Sequence, residues 1–207
     1  MNVRILILCL CVALGCRANE TKTIVCLGDS LTAGYGLSNP GAEAYPALLQ
    51  DKIATRNLPY NVINAGLSGD TTAGGMRRIN WLMRQHIDIL VLALGGNDGL
   101  RGIAPEVTAE NLAAIIDQVR ARYPQVKVIL AGMQMPANLG NDYTQRYREI
   151  FPAIARDKNC ELIPFLLEGV GGDPNLNQPD LIHPTAAGQQ LLADTVWRTM
   201  EPLLSDS

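Results

Sequence analysis

The chain has 207 residues, with 17 Lys and Arg against 20 Asp and Glu, a formal charge of −3, and 47% hydrophobic side chains. This composition fits one globular domain and excludes a disordered, fibrous or collagenous chain. The acidic balance and the lack of any run of four basic residues leave nothing to neutralise a phosphate backbone, so nucleic acid is not an expected partner.

The chain opens with Arg4 and an apolar run from Ile5 to Leu14, followed by small residues and Cys16. That order of basic, apolar and small-residue regions reads as a secretory leader over residues 1–18, and the run is too short for the ~20 residues a membrane span needs. Two processing routes stay open. Cleavage after Ala18 would release a soluble, periplasmic protein. Cleavage before Cys16, at Ala13-Leu14-Gly15-Cys16, resembles a bacterial lipobox and would leave a membrane-anchored lipoprotein. The mature domain then spans residues 19–207. Cys9 and Cys11 leave with the leader, and Cys26 with Cys160 does not make a disulfide framework.

Short β-rich runs alternate with amphipathic stretches along the rest of the chain. Strands are expected at Thr23–Leu27, Asn61–Ala65, Ile89–Leu94, Lys127–Met133 and Glu161–Ile163. Three of them are almost continuously apolar, as parallel strands covered on both faces are. Helices are expected at Tyr45–Arg56, Thr72–Gln85, Pro105–Arg122, Asp142–Lys158 and Thr185–Leu203. In the third helix Leu112, Ile115, Ile116 and Val119 form one stripe that faces a sheet. The alternation predicts an α/β fold, a doubly wound parallel sheet with right-handed crossovers between two helical layers.

Active crevices in such sheets lie beyond the carboxyl ends of the strands. The residues there read Gly28-Asp29-Ser30-Leu31, Gly66-Leu67-Ser68, Gly95-Gly96-Asn97-Asp98, the 133–141 loop and, before the last helix, Asp180-Leu181-Ile182-His183. A serine hydroxyl needs a neighbouring base to become a nucleophile. The chain has two histidines. His86 lies at a helix end on the far rim, which suits a surface role, whereas His183 precedes Pro184, a residue favoured at a first helical position. Asp180 is within one turn of His183, where it can hold one ring nitrogen and free the other to take the Ser30 proton. Helix capping is the competing reading of Asp180. For an oxyanion the available donors are the Ser30 and Gly66 backbone N–H groups and the Asn97 side-chain amide; a tight turn at Gly66 and an Asx-type turn at Asn97 are the alternatives.

GDSLTAGYG (Gly28–Gly36), NAGLSGDTTAGG (Asn64–Gly75), LALGGNDGLRG (Leu92–Gly102) and DLIHP (Asp180–Pro184) resemble, in order, the four blocks of the SGNH/GDSL hydrolases. MQMPANLG and PFLLEGV are similar to the bacterial periplasmic branch of acyl-CoA thioesterases, lysophospholipases and arylesterases. The resemblance implies a flavodoxin-like, three-layer α/β/α fold with five parallel strands in the order 2-1-3-4-5. It also implies a Ser30, His183, Asp180 triad, an oxyanion hole of Ser30, Gly66 and Asn97, and no metal or organic cofactor. By that order strands one and five, the first holding Cys26 and the second starting just after Cys160, stand about 14 Å apart, beyond the ~7 Å reach of a disulfide, so the two cysteines are expected to stay unpaired.

The substrate class implied is small-molecule aryl esters, acyl thioesters and lysophospholipids, cleaved through an acyl-enzyme. Met133, Met135, Pro136 and Leu139 are the expected substrate-binding residues, while Phe165, Leu166 and Leu167 are read first as core packing. A carbohydrate acetylesterase would use the same triad. A flavodoxin-like ligand-binding module would share the sheet, but no phosphate-cradling G-x-x-x-x-G-K-[ST] or G-x-G-x-x-G sequence occurs.

Overall fold

A computed structural model describes residues 21–204; the leader over residues 1–18 and the lipid-bearing role of Cys16 lie outside the described residues. In chain order the elements are β1 (Lys22–Gly28), α1 (Ser30–Ala33), α2 (Pro40–Glu43), α3 (Tyr45–Thr55), β2 (Tyr60–Gly66), α4 (Thr72–Leu82) and β3 (Ile89–Ala93). They continue with α5 (Gly96–Leu100), α6 (Pro105–Arg122), β4 (Lys127–Ala131), a 3₁₀ turn (Ala137–Leu139), α7 (Asn141–Asp157), β5 (Glu161–Ile163) and α8 (Ala186–Leu204). All strand pairs are parallel, and the order is β2-β1-β3-β4-β5.

Helices α4, α6 and α7 pack side by side on one face of the sheet, and α3 with α8 covers the other, as right-handed crossovers require. β1 and β3 lie between these layers. Ile24, Val25, Cys26 and Leu27 and the whole of β3 are therefore buried, which is why neither strand alternates polar with apolar. The α6 stripe of Leu112, Ile115, Ile116 and Val119 is fully buried against the sheet. Among the described residues no helix is long and apolar enough to cross a membrane.

Two polar side chains tie layers together. Gln189 of α8 accepts from the Tyr45 N–H at 2.9 Å and donates to the Leu31 carbonyl at 3.1 Å, so a residue more than 140 positions away caps α3 and steadies α1. Gln50 of α3 accepts from Val62 N–H at 2.7 Å and donates to the Tyr60 carbonyl at 3.3 Å, occupying backbone groups of the edge strand β2. Cys26 is buried in β1 and Cys160 half-buried ahead of β5, both with free thiols.

Several boundaries differ from the sequence reading. β4 ends at Ala131, short of Met133, because Gly132 turns out of the strand with its N–H on the Ile163 carbonyl and its own carbonyl accepting from Leu166. β3 ends at Ala93 as Gly95, at φ +117°, redirects the chain into α5. Pro184 is not the first residue of the last helix: Thr185 caps α8, its hydroxyl accepting from Gly188 N–H at 3.3 Å. His86 lies beyond α4, exposed, with its ring edge on Tyr123 and Nε2 3.4 Å from Asp88.

Candidate active site

Asp29 begins the site by capping α1. Its Oδ1 accepts from Leu31 N–H at 3.0 Å, which sets Ser30 as the first residue of a helix leaving the end of β1. The Ser30 N–H makes no hydrogen bond among the described residues.

The other half is a loop ahead of α8. Asp180 Oδ1 accepts from the Ile182 and His183 N–H groups at 2.9 and 3.0 Å, folding the chain back on itself, with Leu181 held at φ +58°. Its Oδ2 lies 2.7 Å from His183 Nδ1. The loop is closed behind by Gln178 N–H donating to the His183 carbonyl and by the Asn177–Pro184 bridge. Asp180 thus caps its own turn rather than a helix.

These two halves meet at one point, where His183 Nε2 stands 2.9 Å from Ser30 Oγ across 153 residues of sequence. A carboxylate on Nδ1 favours the tautomer with its proton on Nδ1, so Nε2 is left to accept from the serine hydroxyl. The His183 backbone N–H and ring beside Asp180 hold its carboxyl down at about 2. The Tyr35 ring lies over the imidazole, centroid to centroid 4.7 Å and tilted by 48°.

Asn97, at the start of α5, donates its amide to the Asp70 carbonyl at 3.0 Å and, more loosely, to Asp29 Oδ2 at 3.3 Å. Asp98 is turned away from the crevice and is only 1% exposed, accepting from both Thr72 N–H at 2.9 Å and Thr72 Oγ1 at 2.5 Å. Asp29 is 2% exposed, and burial pushes its carboxyl up to about 6.

The Gly66 N–H is already engaged. It donates to Asn64 Oδ1 at 2.9 Å, and a Cβ on this residue would sit 2.2 Å from the Ala33 nitrogen, so this glycine serves close packing of β2 on α1. Gly69, three residues on in the same block, is exposed at φ +79° with an N–H that makes no hydrogen bond among the described residues. Sequence reasoning missed it. The signal was a second glycine in the same turn, preceding the residue whose carbonyl holds Asn97.

A cavity of about 440 Å³ opens beside Ser30 and His183. Met133, Met135 and Pro136 line it as expected, with Phe165, Leu167, Leu100 and Ile182. Leu139 does not; it stands half-exposed on the 3₁₀ turn. Leu166 is fully buried in the core, whereas Phe165 and Leu167 on either side of it turn to the cavity, correcting their reading as packing residues.

Residues 26–191 match the model of the GDSL-like lipase/acylhydrolase family. The chain belongs to that family. Esterase TesA of Pseudomonas aeruginosa is 41% identical over 197 residues, spanning 95% of this chain and 96% of that one. Thioesterase 1/protease 1/lysophospholipase L1 of Escherichia coli K12 is 38% identical, over 91% of this chain and 88% of that one. The solved structure of a psychrotrophic esterase EstA from Pseudoalteromonas sp., inhibited by monoethylphosphonate, superposes with a TM-score of 0.82 at 32% identity, covering 89% of this chain and all of the other. As a GDSL-like acylhydrolase, the protein is a carboxylic ester hydrolase.

Proposed function

We propose that the protein cleaves acyl esters and thioesters in two steps through an acyl-enzyme on Ser30. The observation that carries this reading is the line from Ser30 Oγ to His183 Nε2 to Asp180 Oδ2, at 2.9 and 2.7 Å, opening on an apolar cavity. Ser30 attacks the carbonyl while His183 takes its proton, and Asp180 steadies the imidazolium that results. The alkoxide or thiolate leaves with that proton, and a water activated by the same imidazole releases the acid. The negative oxygen is met by the Ser30 N–H, the Asn97 amide and, in place of Gly66, the Gly69 N–H. Asn97 can turn from its loose 3.3 Å contact with Asp29 without giving up the Asp70 carbonyl.

The apolar walls at Met133, Met135, Pro136, Phe165 and Leu167 favour an acyl chain over a bare acetyl group. Aryl esters, acyl thioesters and lysophospholipids all present such a chain to the serine. The leader-like residues 1–18 support export, ending either in release after Ala18 or in a lipid anchor at Cys16; loss of membrane association in Cys16→Ala cells, scored by fractionation, selects the anchor, and an unanchored wild type selects release.

The test of the chemistry is fluorophosphonate labelling with turnover of p-nitrophenyl acetate, butyrate, octanoate and palmitate. Ser30→Ala should abolish labelling and lower turnover by about 10⁴-fold or more; a loss under about tenfold would remove Ser30 from this role. If the cavity holds the chain, kcat/KM should rise about fourfold for each methylene it buries, from acetate through octanoate. A maximum at acetate would instead favour a carbohydrate acetylesterase.

A further inference from the structure

Arg78, on the second turn of α4, takes no part in the chemistry above, yet its side chain is only 21% exposed and each of its three guanidinium nitrogens donates a hydrogen bond. Its Nε donates to Asp70 Oδ2 at 2.7 Å, Nη1 to the Ala65 carbonyl at 2.7 Å and Nη2 to the Gly28 carbonyl at 2.9 Å. Those acceptors lie on three segments. Gly28 is the last residue of β1, two before Ser30; Ala65 is the second-last residue of β2; Asp70 follows Gly69 in the turn between β2 and α4. The Gly28 carbonyl also accepts from Leu67 N–H at 3.0 Å, and Asp70 N–H donates to the Leu67 carbonyl, so the turn is stitched to the end of β1. The Asp70 carbonyl in turn holds the Asn97 amide.

One guanidinium therefore links the strand end that carries the nucleophile to the turn that carries one oxyanion donor and anchors another. We propose that Arg78 is a positioning residue, fixing the separation of Ser30 from the Gly69 and Asn97 donors. This rests on the reading of the site given above. The role needs a planar fork with donors in three directions, which arginine has and lysine lacks. Because the fork binds two carbonyls and a carboxylate at once, losing it shifts the donors relative to Ser30, and misplacement by about 1 Å is enough to cost about 100-fold in rate.

The experiment is a double-mutant cycle on p-nitrophenyl butyrate with wild type, Arg78→Lys, Asn97→Ala and the double variant, reading kcat, KM and the thermal midpoint. Arg78→Lys should lower kcat by about 10- to 100-fold with KM within about threefold. In the Asn97→Ala background the same change should cost at least about threefold less than in the wild type, because one of the two donors it aligns is already gone. Equal losses in both backgrounds, a loss confined to KM, or wild-type activity in Arg78→Lys would each overturn the proposal. If Arg78→Lys does not fold, Arg78→Gln with Asp70→Asn removes the ion pair as a unit and serves the same cycle with the same criteria. Those failures leave the site reading standing; undiminished activity in Asn97→Ala or Ser30→Ala would overturn that reading, and this inference with it.

Discussion

Asp29 couples the stability of the fold to pH through its burial. Its carboxyl, raised by desolvation to about 6, holds its proton more tightly in the folded chain than in the unfolded one, where it titrates near 3.9. Stability from this group is present below about pH 4 and is lost as pH rises through about 6, by at most about 3 kcal/mol. Asp29→Asn keeps the helix cap, since asparagine caps as well as aspartate. The variant should therefore gain unfolding free energy relative to wild type between pH 4.5 and 7; denaturant titrations at both pH values that move in parallel would refute this. Asp180 has the opposite sign. Its depressed carboxyl, at about 2, contributes above the unfolded value, and that contribution fades only as pH falls from about 4 through 2. The donors show how far single residues were legible. Ser30, His183 and Asp180 could be read from their place after strands and from the scarcity of histidine. The choice between Gly66 and Gly69 could not, because it depends on the Asn64 side chain occupying one N–H and leaving the other free.

The long helices were legible because their apolar stripes repeat over three or more turns, as Leu112 to Val119 do. α1, α2 and α5 span four or five residues each, too few to show a period, and α1 and α5 are held by partners distant in sequence. α5 shows this best. Asp98 within it bonds Thr72 at the start of α4, and Gly99 packs beneath Met135, where a Cβ would lie 2.1 Å from the sulfur. Asp98→Ala should destabilise the fold by about 3 kcal/mol by leaving the buried Thr72 N–H and O–H without an acceptor, the hydroxyl oxygen keeping only the Asn111 amide, read as a shifted urea midpoint. Gly99→Ala should push the flexible Met135 side chain into the cavity and lower the octanoate-to-butyrate ratio of kcat/KM, while p-nitrophenyl acetate is turned over nearly as before.

Across the whole molecule, parallel strands running in one direction bring the ends of β1, β2, β3 and β4 to one rim, and the loop before α8 completes it. The alternation of strand and helix patterns carried that topology, because each crossover has only one favoured hand. The cavity wall was harder to read. Phe165, Leu166 and Leu167 are equally apolar, and only packing shows that the middle residue enters the core while its neighbours face the cavity.

The Gln50 amide on β2 has a consequence for life in a crowded solution. An outer strand with vacant amides is a template on which a second chain can lay down its own backbone, and Gln50 imitates a peptide unit just well enough to fill that place at Tyr60 and Val62. Gln50→Ala should fold and turn over ester normally, yet scatter more light when refolded at rising protein concentration, since the Val62 N–H that Gln50 covers would be open to another copy.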